Sequence, residues 1–130
     1  MYILDTDICS YTIKNRPSHI AQKFESIEAS KLTISSITGA ELLFGAKKIG
    51  SSSLVNLVEG FLGRLIILPW GKPQAYEYAN LRTSLEQNGK IIGNMDMLIA
   101  SHALSIDAVL VSNNLKHFEK VPNLKLENWV

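Results

Sequence analysis

The chain has 130 residues, 46% of them hydrophobic and 19% charged, with a formal net charge of +1. That is enough chain for one domain with a real core, and the balance excludes a disordered acidic or basic tail protein. Net charge neither favours nor excludes nucleic acid as a partner, because a basic groove depends on local clustering of groups such as Lys14, Arg16, Lys47, Lys48, Arg82 and Lys116. Cys9 is the single cysteine, so no internal disulfide is possible, and its apolar neighbours predict a small buried residue. No apolar run approaches about twenty residues and the N-terminus has no signal-peptide pattern, so the expectation is a cytoplasmic protein with no membrane partner.

Tyr2-Ile3-Leu4-Asp5 reads as a short apolar strand ending on an acid. Thr6 to Lys14 reads as a helix, broken by Asn15-Arg16-Pro17. Ser18 is placed to cap a second helix running to about Ala29. Leu32-Thr33-Ile34-Ser35 has the β-branched character of a strand. A helix starting at Ser36 or Thr38 carries Glu41 to about Ile49, and Gly50-Ser51-Ser52-Ser53 is a turn. Leu54 to Gly63 is amphipathic, and Leu65-Ile66-Ile67-Leu68 is a strand closed by Pro69. Pro73 suits the first turn of a long helix to about Gln87, ended by Asn88-Gly89. Gly93 or Asn94 opens a helix from Met95 to Ile106, followed by a strand at Ala108–Val111 and a loop at Ser112-Asn113-Asn114. A short helix over about Lys116 to Glu119 and an edge strand from Lys125 to Asn128 complete the chain.

Strands alternate with helices, and the strands are apolar runs. This predicts one α/β domain over residues 1–130, with a mostly parallel sheet covered by helices on both faces. In such sheets ligands bind outside the carboxyl ends of the strands. Asp5 and Ser112-Asn113-Asn114 fall there, and Asp7 lies two residues beyond Asp5. Glu41 is flanked by apolar residues, so it needs a partner or a cation. Asp96 is the one acid in Ile91–Ala100, in the first turn of its helix. Each has a structural alternative: Asp5 as a helix cap, Asp96 as a complement to the helix dipole, Glu41 in an ion pair. Together, a carboxylate cluster points to a hard cation such as Mg²⁺ or Mn²⁺ rather than zinc. His19, His102 and His117 lack metal-ligand spacing and read as core or surface.

These stretches match a known family. Ile3-Leu4-Asp5-Thr6-Asp7 resembles the opening motif of PIN-domain toxins of the VapC type. Ser35–Leu42 with Gly45-Ala46 resembles their second motif and Ile92–Ala103 their third. Leu110–Asn114, Phe118–Leu124 and Glu127-Asn128-Trp129 are similar to the C-terminal end. The resemblance spans almost the whole chain and implies a three-layer α/β/α sandwich. It implies Mg²⁺- or Mn²⁺-dependent cleavage of RNA, with tRNA, and the anticodon region of initiator tRNA within it, as the expected target. It further implies a homodimer, neutralisation by a VapB antitoxin, and contact with DNA only through that antitoxin.

In this reading Asp5, Glu41 and Asp96 hold one or two ions, while Ser112 and Asn114 orient Asp5, a water or the ions. Arg82 and Lys47 are the candidate phosphate contacts. Asp7 stands where the family more often has Asn, Asn114 or Asn113 where many members have a fourth acid, and His117 where an acid is frequent; His117 is given no role. The Asp5-Thr6-Asp7 sequence also resembles the nucleophile motif of haloacid-dehalogenase-like phosphatases, which is the enzymatic alternative. A non-catalytic binding module on the same fold is the other alternative.

Overall fold

Strands that are apolar on both faces must be covered on both, and the computed structural model, which describes residues 1–130, does this for the central strands of its sheet with seven helices. The strands are β1 (Tyr2–Leu4), β2 (Leu32–Ser35), β3 (Ile66–Leu68), β4 (Val109–Val111) and β5 (Lys125–Glu127). All neighbours pair in parallel, in the order β3-β2-β1-β4-β5. The helices are α1 (Thr6–Lys14), α2 (Ser18–Glu25), α3 (Ser36–Ile49), α4 (Ser52–Leu62), α5 (Lys72–Gln87), α6 (Asn94–Ser105) and α7 (Leu115–Phe118).

Successive side chains of a strand point to opposite faces, so each central strand feeds two cores. Leu4, Leu32, Ile34 and Val111 pack under α1 to α4, with Ile8, Phe24, Leu42, Val58, Phe61 and Trp129. Ile3 and Leu110 face the other way, into a core built by Leu81 and Leu85 of α5, Met97, Ile99 and Ala103 of α6, and Phe118 of α7. Ile3 and Leu110 are fully buried, each contributing about 1.5–3 kcal/mol relative to exposure. The result is the expected three-layer sandwich. Cys9 is buried in the first core, as its neighbours predicted.

The elements follow the expected order, with differences at their ends. α2 stops at Glu25 rather than near Ala29, because the Ser26 hydroxyl turns back onto the Lys23 carbonyl (2.6 Å) and competes with helical bonding. A 3₁₀ turn at Ala29–Lys31 then leads into β2. Ser18 is the first residue of α2, not its cap; Pro17 occupies the cap position and supplies no side-chain bond. α4 starts at Ser52, two residues before Leu54, because Ser51 Oγ accepts from Leu54 N at 3.2 Å. α3 starts at Ser36, capped by Ser35 Oγ accepting from Ile37 N.

The strand order decides where a site can form. From β1 the chain moves outward through β2 to β3, then crosses back to place β4 on the other side of β1. The carboxyl ends of β1 and β4 therefore flank the point where strand order reverses, which is where open parallel sheets form a crevice.

Candidate active site

Register puts Leu4 opposite Val111, so the next residues, Asp5 and Ser112, leave the sheet side by side. Asp5 N donates to the Val111 carbonyl at 2.9 Å, and Ser112 N donates to the Glu127 carbonyl at 3.0 Å. Ser112 Oγ donates to Asp5 Oδ2 at 2.8 Å and accepts from Asn114 N at 2.9 Å. The other oxygen, Asp5 Oδ1, accepts from Thr6 N at 2.9 Å, so Asp5 also caps α1. Asp5 thus caps α1 with one oxygen and is tied to Ser112 by the other.

A cleft of about 240 Å³ opens above this junction, lined by Asp5, Thr6, Asp7, Glu41, Met95, Asp96, Ile99 and Asn114. Glu41 reaches it from the second turn of α3, with Oε1 accepting from Thr6 Oγ1 at 3.0 Å. Asp96 reaches it from the first turn of α6, where its Oδ2 meets Asn114 Nδ2 at 3.3 Å and His117 Nδ1 at 2.8 Å. Asp7 is held by backbone: its Oδ1 accepts from Ile8 N at 2.7 Å and its Oδ2 from Asn113 N at 3.0 Å. Asp5, Glu41, Asp96 and Asn114 thus converge from four separate segments, and Ser112 lies beneath them.

No lysine or arginine pairs with Asp5, Asp7, Glu41 or Asp96. The lysines and arginines that form ion pairs do so elsewhere, as Arg64–Glu25, Arg82–Glu86 and Lys125–Asp107. Uncompensated negative charge in a half-buried cleft is unfavourable. It shows as proton affinity: burial first, then the charge of Asp7, lifts Asp5 from its ordinary 3.8 to about 6. Burial also lifts Asp7, against the lowering effect of the Asn113 and Ile8 amides. No three of the Asp, Glu, His and Cys side chains close into a ready-made cage around an ion. The carboxylate donors nevertheless offer only oxygen and line a cleft that opens to solvent, which is the chemistry of a hard divalent cation that keeps part of its water shell.

Arg82 and Lys47 do not line this cleft. Arg82 is exposed on α5, where Nε donates to Glu86 at 3.0 Å and Nη1 to Tyr78 Oη at 2.9 Å. Lys47 is exposed in the last turn of α3. His117, given no role from sequence, does reach the site. Its one sequence signal is its place three residues after Asn114, a single turn beyond the loop that follows β4. Thr6 is the other contributor that sequence reasoning passed over, since a hydroxyl beside an acid in a motif does not reveal that it holds a different acid 35 positions away.

The PIN domain family model matches residues 2–124. The chain belongs to the PIN-domain family. Among PIN relatives, it is 45% identical over 130 residues to ribonuclease VapC2 of Haemophilus influenzae, covering 99% of this chain and 98% of that protein. It is 40% identical to the tRNA(fMet)-specific endonuclease VapC of Salmonella typhimurium, covering 98% and 97% of the two chains. The fold superposes with a TM-score of 0.90 on a chain of VapBC2 from Rickettsia felis bound to a DNA fragment from their promoter, at 43% identity and 99% and 98% coverage. Membership of the PIN family fits the crossing of Asp5, Glu41 and Asp96 at the switch point. It leaves the phosphatase alternative without support.

Proposed function

We propose that residues 1–130 form one PIN domain acting as the endoribonuclease toxin of a VapBC-type pair, hydrolysing RNA phosphodiester bonds with Mg²⁺ or Mn²⁺. The observation that carries this reading is the cleft in which Asp5, Asp7, Glu41 and Asp96 meet without a compensating lysine or arginine. Asp5, Glu41 and Asp96 hold the ion. When bound, such an ion polarises a phosphoryl oxygen and lowers the pKa of an attacking water. The chain's own part is to fix the carboxylates: Ser112 holds Asp5, Thr6 holds Glu41 and Asn114 holds Asp96. Lys47 and Arg82 contact phosphates of the RNA outside the cleft.

The substrate is tRNA, with initiator tRNA and its anticodon region the first candidate. The name of the Salmonella relative supports this. A VapB-type antitoxin neutralises the toxin, the toxin is a homodimer, and it meets DNA only through the antitoxin; the Rickettsia VapBC2 complex with promoter DNA supports the antitoxin partner and the presence of DNA in the assembly. An apolar groove between α1, α3 and α4, lined by Ile13, Leu42, Ala46, Leu54 and Val58, also includes Thr6 and Glu41. A partner segment seated there reaches the edge of the acidic cleft. No helix is long and apolar enough to cross a membrane, and the site of action is the cytoplasm.

The test is cleavage of purified tRNA by the antitoxin-free protein with Mg²⁺ or Mn²⁺, with EDTA, and with Asp96→Asn alongside. Discrete fragments that disappear with EDTA and in the variant are expected, and mapping their ends identifies the cut. Folded wild-type protein that leaves tRNA and total RNA intact would overturn the enzymatic reading and favour the binding module.

A further inference from the structure

We infer that His117 is a positioning residue for Asp96: its Nδ1–H, with the Asn114 amide, fixes the carboxylate that the metal-dependent reading requires. The inference rests on that reading and extends it to a residue outside the acidic set.

Three groups meet within a small space. His117 Nδ1 lies 2.8 Å from Asp96 Oδ2 and 2.9 Å from Asn114 Nδ2, and Asn114 Nδ2 lies 3.3 Å from the same Asp96 oxygen. A carboxylate only accepts and an amide nitrogen only donates, so Nδ1 cannot satisfy both neighbours at once. Were Nδ1 the acceptor for Asn114, its lone pair would face an anionic oxygen at 2.8 Å. The proton therefore belongs on Nδ1, where it makes the stronger, charge-assisted bond to Asp96. The Asn114 amide then also turns a hydrogen toward Oδ2. One oxygen of Asp96 takes two donors, and the rotation of the carboxylate is set.

The exposures separate this role from a stabilising one. The His117 side chain is 47% exposed and that of Asp96 is 23% exposed. An interaction so open to water adds little to folding stability. Its consequence is orientation, and groups that orient a metal-holding carboxylate typically change metal affinity or activity by roughly 10–100-fold. His117 is well placed to orient Asp96 because α7 begins at Leu115, one residue after Asn114, so one helical turn carries the ring back over the end of β4 toward α6.

The experiment is Mn²⁺ binding to the full chain, read by electron paramagnetic resonance of free Mn²⁺. Wild type, His117→Ala, His117→Asn and Asp96→Asn are compared, each with a thermal melt. Asn carries its amide nitrogen on Cγ, as His carries Nδ1, so His117→Asn retains a donor at this place. His117→Ala is expected to bind Mn²⁺ roughly tenfold more weakly with an unchanged melting temperature, and His117→Asn to recover most of that loss. In RNA cleavage the same pattern should appear in kcat rather than KM. Equal Mn²⁺ binding by wild type and His117→Ala overturns this inference alone. A His117→Asn variant as weak as His117→Ala overturns the donor role. Wild-type protein that binds no Mn²⁺ takes down the metal reading together with this inference.

Discussion

Ser112 donates its hydroxyl hydrogen to Asp5 Oδ2 at 2.8 Å, joining two residues 107 positions apart at the ends of adjacent parallel strands. Ser112 Oγ also accepts from Asn114 N, so one hydroxyl both holds the buried acid and starts the loop that delivers Asn114 and His117. Ser112→Ala removes both bonds at a fully buried position. The expected outcome is a stability loss of about 1–3 kcal/mol in chemical denaturation and roughly tenfold slower RNA cleavage. Ser112→Thr, which keeps the hydroxyl, should retain cleavage. Equal cleavage by Ser112→Ala and wild type would remove Ser112 from the site.

The crowding of Asp5 gives a pH dependence of defined sign. Burial, and after it the charge of Asp7, holds the Asp5 carboxyl near 6 against an ordinary 3.8. Between those values the folded state binds more protons than the unfolded state, so metal-free stability falls as pH rises through the window. By pH 7 the penalty is complete, at about 3 kcal/mol for a shift of this size. Melting temperature measured in EDTA should therefore rise from pH 7 to pH 5. Asp7→Asn removes the second cause, so the Asp5 midpoint should move down, and with it the acid limb of metal binding. A melting temperature that falls from pH 7 to pH 5 would refute the reading.

Much of the fold was legible because period and punctuation agree. Thr6–Lys14 lies between a strand-ending acid and Asn15-Arg16-Pro17, and Leu32–Ser35 is a run of apolar and β-branched residues; both are found with those bounds. The end of α2 was not legible, since Ser26-Ile27-Glu28-Ala29 contains no glycine or proline and it is a hydroxyl back-bond that stops the helix. For the site, the acids announced themselves by being polar where the pattern required apolar residues. Asp5 at a strand end and Glu41 between hydrophobes are of this kind, and both line the cleft. His117 and Thr6 break no pattern. Their roles arise from contacts made only after β1, α3, α6 and α7 have packed together.

Thr6 offers a second test of carboxylate positioning, on the opposite wall of the cleft. Its Oγ1 donates to Glu41 Oε1 at 3.0 Å, joining α1 to α3. Thr6→Val keeps shape and β-branching and removes the donor. The bond is partly buried, so stability should change by no more than about 1.5 kcal/mol, while cleavage falls several-fold. Glu41→Gln should be more damaging than Thr6→Val, because it removes the charge as well as the geometry. If Thr6→Val lowers stability and leaves cleavage untouched, the contact is a helix-to-helix brace and nothing more.

The proposed phosphate contacts differ from each other in a way that salt dependence can read. Lys47 makes no ion pair and lies six residues after Glu41 on α3, roughly 9 Å further along the helix axis. Arg82 is already engaged by Glu86 and Tyr78 on its own helix, and that exposed pairing partly neutralises its charge. Each phosphate neutralised on single-stranded nucleic acid contributes about 0.7 to the slope of log affinity against log salt. Lys47→Ala should reduce the slope by about that amount and raise KM several-fold without changing kcat. Arg82→Ala should change both less. Neither substitution should alter stability by more than about 0.5 kcal/mol, as both side chains are exposed. The measurement is RNA binding by a catalytically inactive Asp96→Asn protein across a salt series. Slopes identical to the parent for both alanine variants would place the RNA backbone on a different face of the molecule.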